Sequence, residues 1–106
     1  MANSMLTGLR PSHPGRILRR DVVPALGRPV STMAREIGIS RQQLHDILAE
    51  RKPITVQTAL RLGRYLGNGP ELWIGLQNRF DLANAAEAMA PALASIVPAE
   101  ALDQAA

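Results

Sequence analysis

Apolar residues recur three and four apart along most of this chain, and nowhere do they alternate. Ile17, Leu18 and Val22 share one helical face, with Arg16, Arg19 and Arg20 on the other. Pro14 suits the first turn of that helix, because its missing N–H would have no partner there. Pro24 is expected to stop it. A second helix is expected through "TMAREI", capped by Ser31 and closed at Gly38. Ser40 then caps a third, "RQQLHDILAE", with Leu44, Ile47 and Leu48 inward. "RKPI" breaks it. Thr55 caps a fourth, carrying Val56, Ala59, Leu60, Leu62 and Leu66 and ending at Gly67. Pro70 and Glu71 open a fifth, which holds Leu72, Trp73, Leu76, Phe80 and Ala83. Beyond it, Pro91 and Pro98 divide an alanine-rich stretch into pieces too short to be stable helices alone. The expectation is an all-α fold of five helices. Residues 1–12 read as a flexible arm, 13–87 as the folded domain and 88–106 as a weakly helical or disordered tail.

The helices on either side of Gly38 carry a further pattern. Two short helices crossing near a right angle need a small residue at the crossing and a permissive one at the turn. Ala34 and Gly38 meet both needs, and Leu44 must then point back to lock the second helix onto the first. With Leu44 inward, helical periodicity sends Arg41, Gln42, His45 and Asp46 outward, with Gln43 at the edge of that face. These are the positions a recognition helix offers to a major groove. Arginine can bridge guanine O6 and N7, and glutamine can bridge adenine N6 and N7. Asp46 is unfavourable beside phosphate, so it either reads cytosine N4 or pairs with a nearby arginine. Backbone contacts are expected from Ser31 and Thr32 at a helix start, from Ser40 and Arg35, and from Arg51 and Lys52 in the following loop.

Charge supports an anionic partner. Residues 1–67 hold eleven Lys/Arg against four Asp/Glu, whereas residues 68–106 hold Arg79 against five acids. Catalysis finds no such support. The two histidines, His13 and His45, lack a nucleophile and carboxylate at triad spacing, and no Gly-rich phosphate loop or metal-ligand spacing occurs. His13 reads as a helix-start residue. No cofactor is expected. The absence of cysteine fits a reducing compartment. No signal peptide or membrane span is evident, and a cytoplasmic protein is the expectation.

"HPGRILRRDVVPALG", "STMAREIGISRQQLHDILAERKPIT" and "ALRLGRYLGNGPELWIGLQNRFDL" together resemble the HigA-type antitoxins, a VapI-type branch of the XRE/Cro-like helix-turn-helix proteins. The resemblance covers roughly residues 13–84. Its most distinctive part is the Gly-x-x-Pro-Glu-x-Trp-x-x-x-Gln run from Gly67 to Gln77. It implies a lambda-repressor-like domain and a homodimer on a palindromic operator in its own promoter. It also implies tight binding to a HigB-type toxin that cuts mRNA. Carried over by position, Arg41, Gln42, His45 and Asp46 match base-facing places and Lys52 a backbone-facing one. Many relatives start the second helix with a phosphate-touching glutamine, and here the residue is Val30. Trp73, Leu76 and Phe80 are expected in the core or at a dimer seam. Two other readings fit the residues: a repressor without a toxin, and a toxin-binding module that no longer binds DNA.

Overall fold

A computed structural model describes residues 10–100, and every regular element among them is helical. The first helical run has three parts: α1 (Pro14–Ile17), a π-helical turn (Leu18–Val22) and α2 (Val23–Leu26). Then come α3 (Val30–Ile37), α4 (Arg41–Leu48), α5 (Val56–Leu66), α6 (Pro70–Ala88) and the short α7 (Ala90–Ala94). Residues 1–9 of the expected arm and 101–106 of the expected tail lie outside the described residues.

Local capping chemistry sets most of these boundaries. Ser40 Oγ accepts the Gln43 N–H at 3.0 Å, and Thr55 Oγ1 accepts the Thr58 N–H at 3.2 Å. Gly38 and Gly67 end α3 and α5 in the left-handed region, at φ 90° and 76°. His13 caps α1 through Nδ1, which accepts the Gly15 N–H at 2.9 Å.

Two expectations are corrected. Pro24 does not stop the first helical run, which passes through it and ends at Gly27. A proline has no N–H for the carbonyl four residues back, and its ring crowds that carbonyl. The π turn removes the conflict. Just ahead of the proline, the Val23 N–H reaches back five residues to Leu18 O, so the ladder is already widened when Pro24 enters it. Nor does Ser31 cap the next helix. That helix starts one residue earlier, at Val30, with Pro29 as its capping residue and no side-chain cap. Pro29 O takes the Thr32 and Met33 N–H groups at 3.0 and 3.1 Å, so a backbone carbonyl closes the first turn.

The helices enclose one core, built on Leu18, Met33, Ala34, Ile37, Leu44, Ile47, Ile54, Leu62 and Trp73. α5 and α6 pack along each other, α3 crosses α4, and α1 touches both α4 and α6. Trp73 is 1% exposed, with its indole N–H donated to Asn68 Oδ1 at 3.0 Å, so it belongs to this chain's own core. Leu76 and Phe80 are half-buried, and the Phe80 ring meets His13 edge-on at 5.0 Å. On α5 the pattern is less inward than expected, because Val56 and Leu60 are 62% and 55% exposed.

Candidate nucleic-acid interface

The crossing of α3 and α4 follows from Ala34. It is 1% exposed, and its carbonyl accepts both the Gly38 and the Ile39 N–H, at 2.9 and 3.0 Å. One small residue therefore admits the neighbouring helix and satisfies the turn. The turn is closed over by Arg61, whose Nη1 donates to Ile37 O at 3.2 Å. A Cβ on Gly38 would lie 2.5 Å from that same nitrogen, the mobile tip of a side chain, so it is the left-handed φ that restricts the position.

With Leu44 and Ile47 buried, α4 turns the opposite face outward. Arg41, Gln42 and His45 are exposed on it, and Gln43 sits half-buried at the edge. Asp46 differs from them. Its side chain is only 15% exposed, and its Oδ1 accepts from Arg51 Nε at 3.2 Å, Arg51 Nη2 at 3.0 Å and Gln42 Nε2 at 3.0 Å. The arginine, and after it the glutamine amide, hold this carboxyl below the ordinary aspartate range. Of the two roles considered for Asp46, the structure contains the arginine pair.

The loop after α4 is built on the same residue. Asp46 O accepts the Arg51 and Lys52 N–H groups at 2.8 and 3.2 Å, around a left-handed Glu50 at φ 64°. Arg51 and Lys52 are exposed beside the end of the helix. Ser31 is exposed and Thr32 half-buried in the first turn of α3, with Arg35 exposed one turn on and Ser40 exposed at the start of α4. Of the first N–H groups of α3, those of Thr32 and Met33 are taken by Pro29 O, which leaves the Val30 and Ser31 N–H groups to face an oxyanion.

Several residues that hold this surface in place escape short-range sequence reasoning. Gly15 brings α1 against the backbone of α4, where a Cβ would lie 1.8 Å from Ile47 O. Arg19 reaches from the π turn to Leu48 O and to Glu50 Oε2, capping the far end of α4. Gln77 is 3% exposed; its Oε1 accepts the Ile54 N–H at 2.8 Å and its Nε2 donates to Asp81 at 2.9 Å. It thereby pins the loop that carries Lys52 to α6, and accounts for the last residue of the Gly67–Gln77 run. Arg28, Glu36 and Tyr65 close a further cluster: Tyr65 O–H and Arg28 both donate to Glu36 Oε1, at 2.6 and 2.9 Å. The opening "HPG" gave a signal for Gly15 and the Gly67–Gln77 run one for Gln77, whereas Arg19 and the Arg28–Glu36–Tyr65 cluster had none.

No protein-family model matches the chain. It is 36% identical over 70 residues to virulence-associated protein I of Dichelobacter nodosus, a match covering 66% of this chain and 65% of that protein's length. Among solved structures it is similar to the antitoxin GraA, at 34% identity and a TM-score of 0.80, over 87% of this chain and 100% of that one. It is also similar to the Pseudomonas aeruginosa antitoxin HigA, solved with the higBA promoter. That identity is 33% and the TM-score 0.79, over 84% of this chain and 98% of that one.

Proposed function

The chain belongs to the HigA/VapI-type family of helix-turn-helix antitoxins, and from that premise we propose that it both neutralises a toxin and represses its own operon. The toxin is a HigB-type mRNA-cleaving protein, held by direct binding. Repression works through sequence-specific binding of a homodimer to a palindromic operator. The observation that carries the DNA-binding half is the locked orientation of α4. Leu44 at 0% exposure fixes the inward side, so Arg41, Gln42 and His45 stand out together near the start of the helix. A relative solved with its promoter supports the same reading.

In this reading Arg41 and Gln42 make the principal base contacts, with His45 and Gln43 beside them. Lys52, Arg51, Thr32, Ser31, Ser40 and Arg35 hold phosphates. Val30 cannot replace the glutamine that many relatives place at the start of that helix, which passes the clamp to the Thr32 hydroxyl and the Val30 and Ser31 N–H groups. A dimer is expected because one eight-residue helix buries too little to be specific, and two-fold symmetry doubles its contacts. Val56 and Leu60, exposed beside Ile74 and a few residues after Lys52, form an apolar patch suited to that pairing. Arg64 and Glu71 flank the patch.

Two measurements test the proposal. In a gel shift on the DNA upstream of its own gene, the protein should bind with a steep salt dependence, and binding that ignores sequence would refute operator recognition. Co-expression with the neighbouring reading frame should yield a co-purifying complex in which growth inhibition is relieved. Free, active toxin in that experiment would refute the antitoxin role.

A further inference from the structure

Asp46 is the anomaly of the DNA-facing surface, an anion where the partner is a polyanion. Its side chain is mostly covered, and three donors converge on one carboxylate oxygen. We propose that Asp46 is a positioning residue rather than a base contact: it fixes the Gln42 amide in the orientation that reads adenine and couples it to the Arg51–Lys52 loop. The inference rests on the DNA-binding reading of α4.

The chemistry follows from the acceptor-only character of a carboxylate. Gln42 precedes Asp46 by one helical turn, and its Nε2 donates to Asp46 Oδ1 at 3.0 Å. The reversed amide would set Oε1 against an anion, so only one of the two amide orientations is stable. One Nε2 hydrogen is used by Asp46. The second Nε2 hydrogen and Oε1 then form a donor and an acceptor side by side, in a fixed order along the helix. Adenine presents the complementary pair, an N7 acceptor and an N6 donor. Guanine offers two acceptors there and leaves Oε1 facing a lone pair. A fixed order also separates A·T from T·A, because the adenine must lie on one particular strand.

The same carboxylate restrains Arg51. Two guanidinium nitrogens are spent on it, and the Arg51 and Lys52 N–H groups are spent on the Asp46 carbonyl. Asp46 thus withholds part of a cation from phosphate while setting the loop that carries Lys52. Removing the carboxylate should weaken discrimination and strengthen indiscriminate binding, whereas a simple loss of structure would weaken both.

The test selects bound duplexes from a pool randomised across the operator half-site, with wild type, Asp46→Ala, Gln42→Ala and the double variant compared at one salt concentration. Asp46→Ala and Gln42→Ala should each lose about tenfold in preference at the same A·T pair, within the range for one bidentate contact. The double variant should lose no more than either alone. On random-sequence DNA, Asp46→Ala should bind as tightly as wild type or more tightly. Asp46→Asn, which keeps the size and one acceptor oxygen, should retain part of the preference and stay folded, with a Tm only modestly lowered by loss of the Arg51 ion pair. Unchanged preference at the Gln42 pair in both Asp46 variants overturns the inference, as does a loss confined to a different base pair, which would make Asp46 a base contact. A wild type that selects no sequence overturns the DNA-binding reading together with the inference. A selective wild type whose Gln42→Ala variant selects the same sites overturns the inference alone.

Discussion

Replacing Gly15 with alanine sets two effects of opposite sign against each other. Inside a helix, glycine to alanine normally stabilises by roughly 0.5–1 kcal/mol, because the unfolded chain loses freedom and the helical state does not. At Gly15 the added Cβ would lie 1.8 Å from Ile47 O and 2.9 Å from Ile47 C. Ordinary contact begins near 3.4 Å, so α1 and α4 must separate by about 1.6 Å locally. The obstacle is helix backbone rather than the tip of a side chain, and it cannot swing aside. Overpacking of this kind costs about 1–3 kcal/mol and at times more, which outweighs the propensity gain. We expect a net loss of about 2 kcal/mol, or a Tm lower by roughly 8–16 °C for a domain of this size. Gly75 supplies the control, because it lies within α6 and its Cβ would meet nothing within 4 Å. Gly75→Ala should raise Tm by a few degrees. Urea and thermal unfolding followed by far-UV circular dichroism measure both. A Gly15→Ala protein as stable as wild type would refute the close approach of α1 to α4. Because Ile47 sits on the inward side of that helix, operator affinity should fall in the same variant even well below its Tm.

Arg41→Ala should weaken binding to the operator far more than to random DNA, whereas Lys52→Ala should weaken both alike and reduce the salt slope by about one; equal losses for Arg41→Ala would contradict base reading. Gln77→Ala leaves the buried Ile54 N–H without its acceptor, for about 1–3 kcal/mol. The same change should loosen the Lys52 loop, so denaturant unfolding and DNA affinity should fall together, and a loss in only one would separate the two roles. Stability should also depend on acid. Tyr65 and then Arg28 hold the Glu36 carboxyl below the usual glutamate range, and Arg51 and then Gln42 do the same for Asp46. A lowered folded-state pKa means that the unfolded chain binds more protons, so this stabilisation is full above about pH 4.3 and is lost as pH falls through the folded values. Glu36→Gln should flatten the acid limb of a Tm-against-pH curve, and an unchanged limb would show that the Arg28–Glu36–Tyr65 cluster contributes nothing.

What the sequence determined by itself is local. The caps at Ser40 and Thr55, the left-handed stops at Gly38 and Gly67 and the start at Pro70 each depend on chemistry within about one helical turn. The outward direction of Arg41, Gln42 and His45 was legible as well, because one inward leucine and a period of 3.6 residues leave no other choice. The tertiary structure decided what depends on remote partners. Arg19 meets Leu48 across 29 residues and Gln77 meets Ile54 across 23, and no spacing rule joins residues so far apart. Pro24 stays within a helical run because a π turn absorbs it, where propensity alone ends the helix. From the sequence Asp46 had two possible partners, cytosine N4 and a nearby arginine, with the arginine favoured by charge. The turn after α4, folding Arg51 back over the helix end, placed one of them within hydrogen-bonding reach.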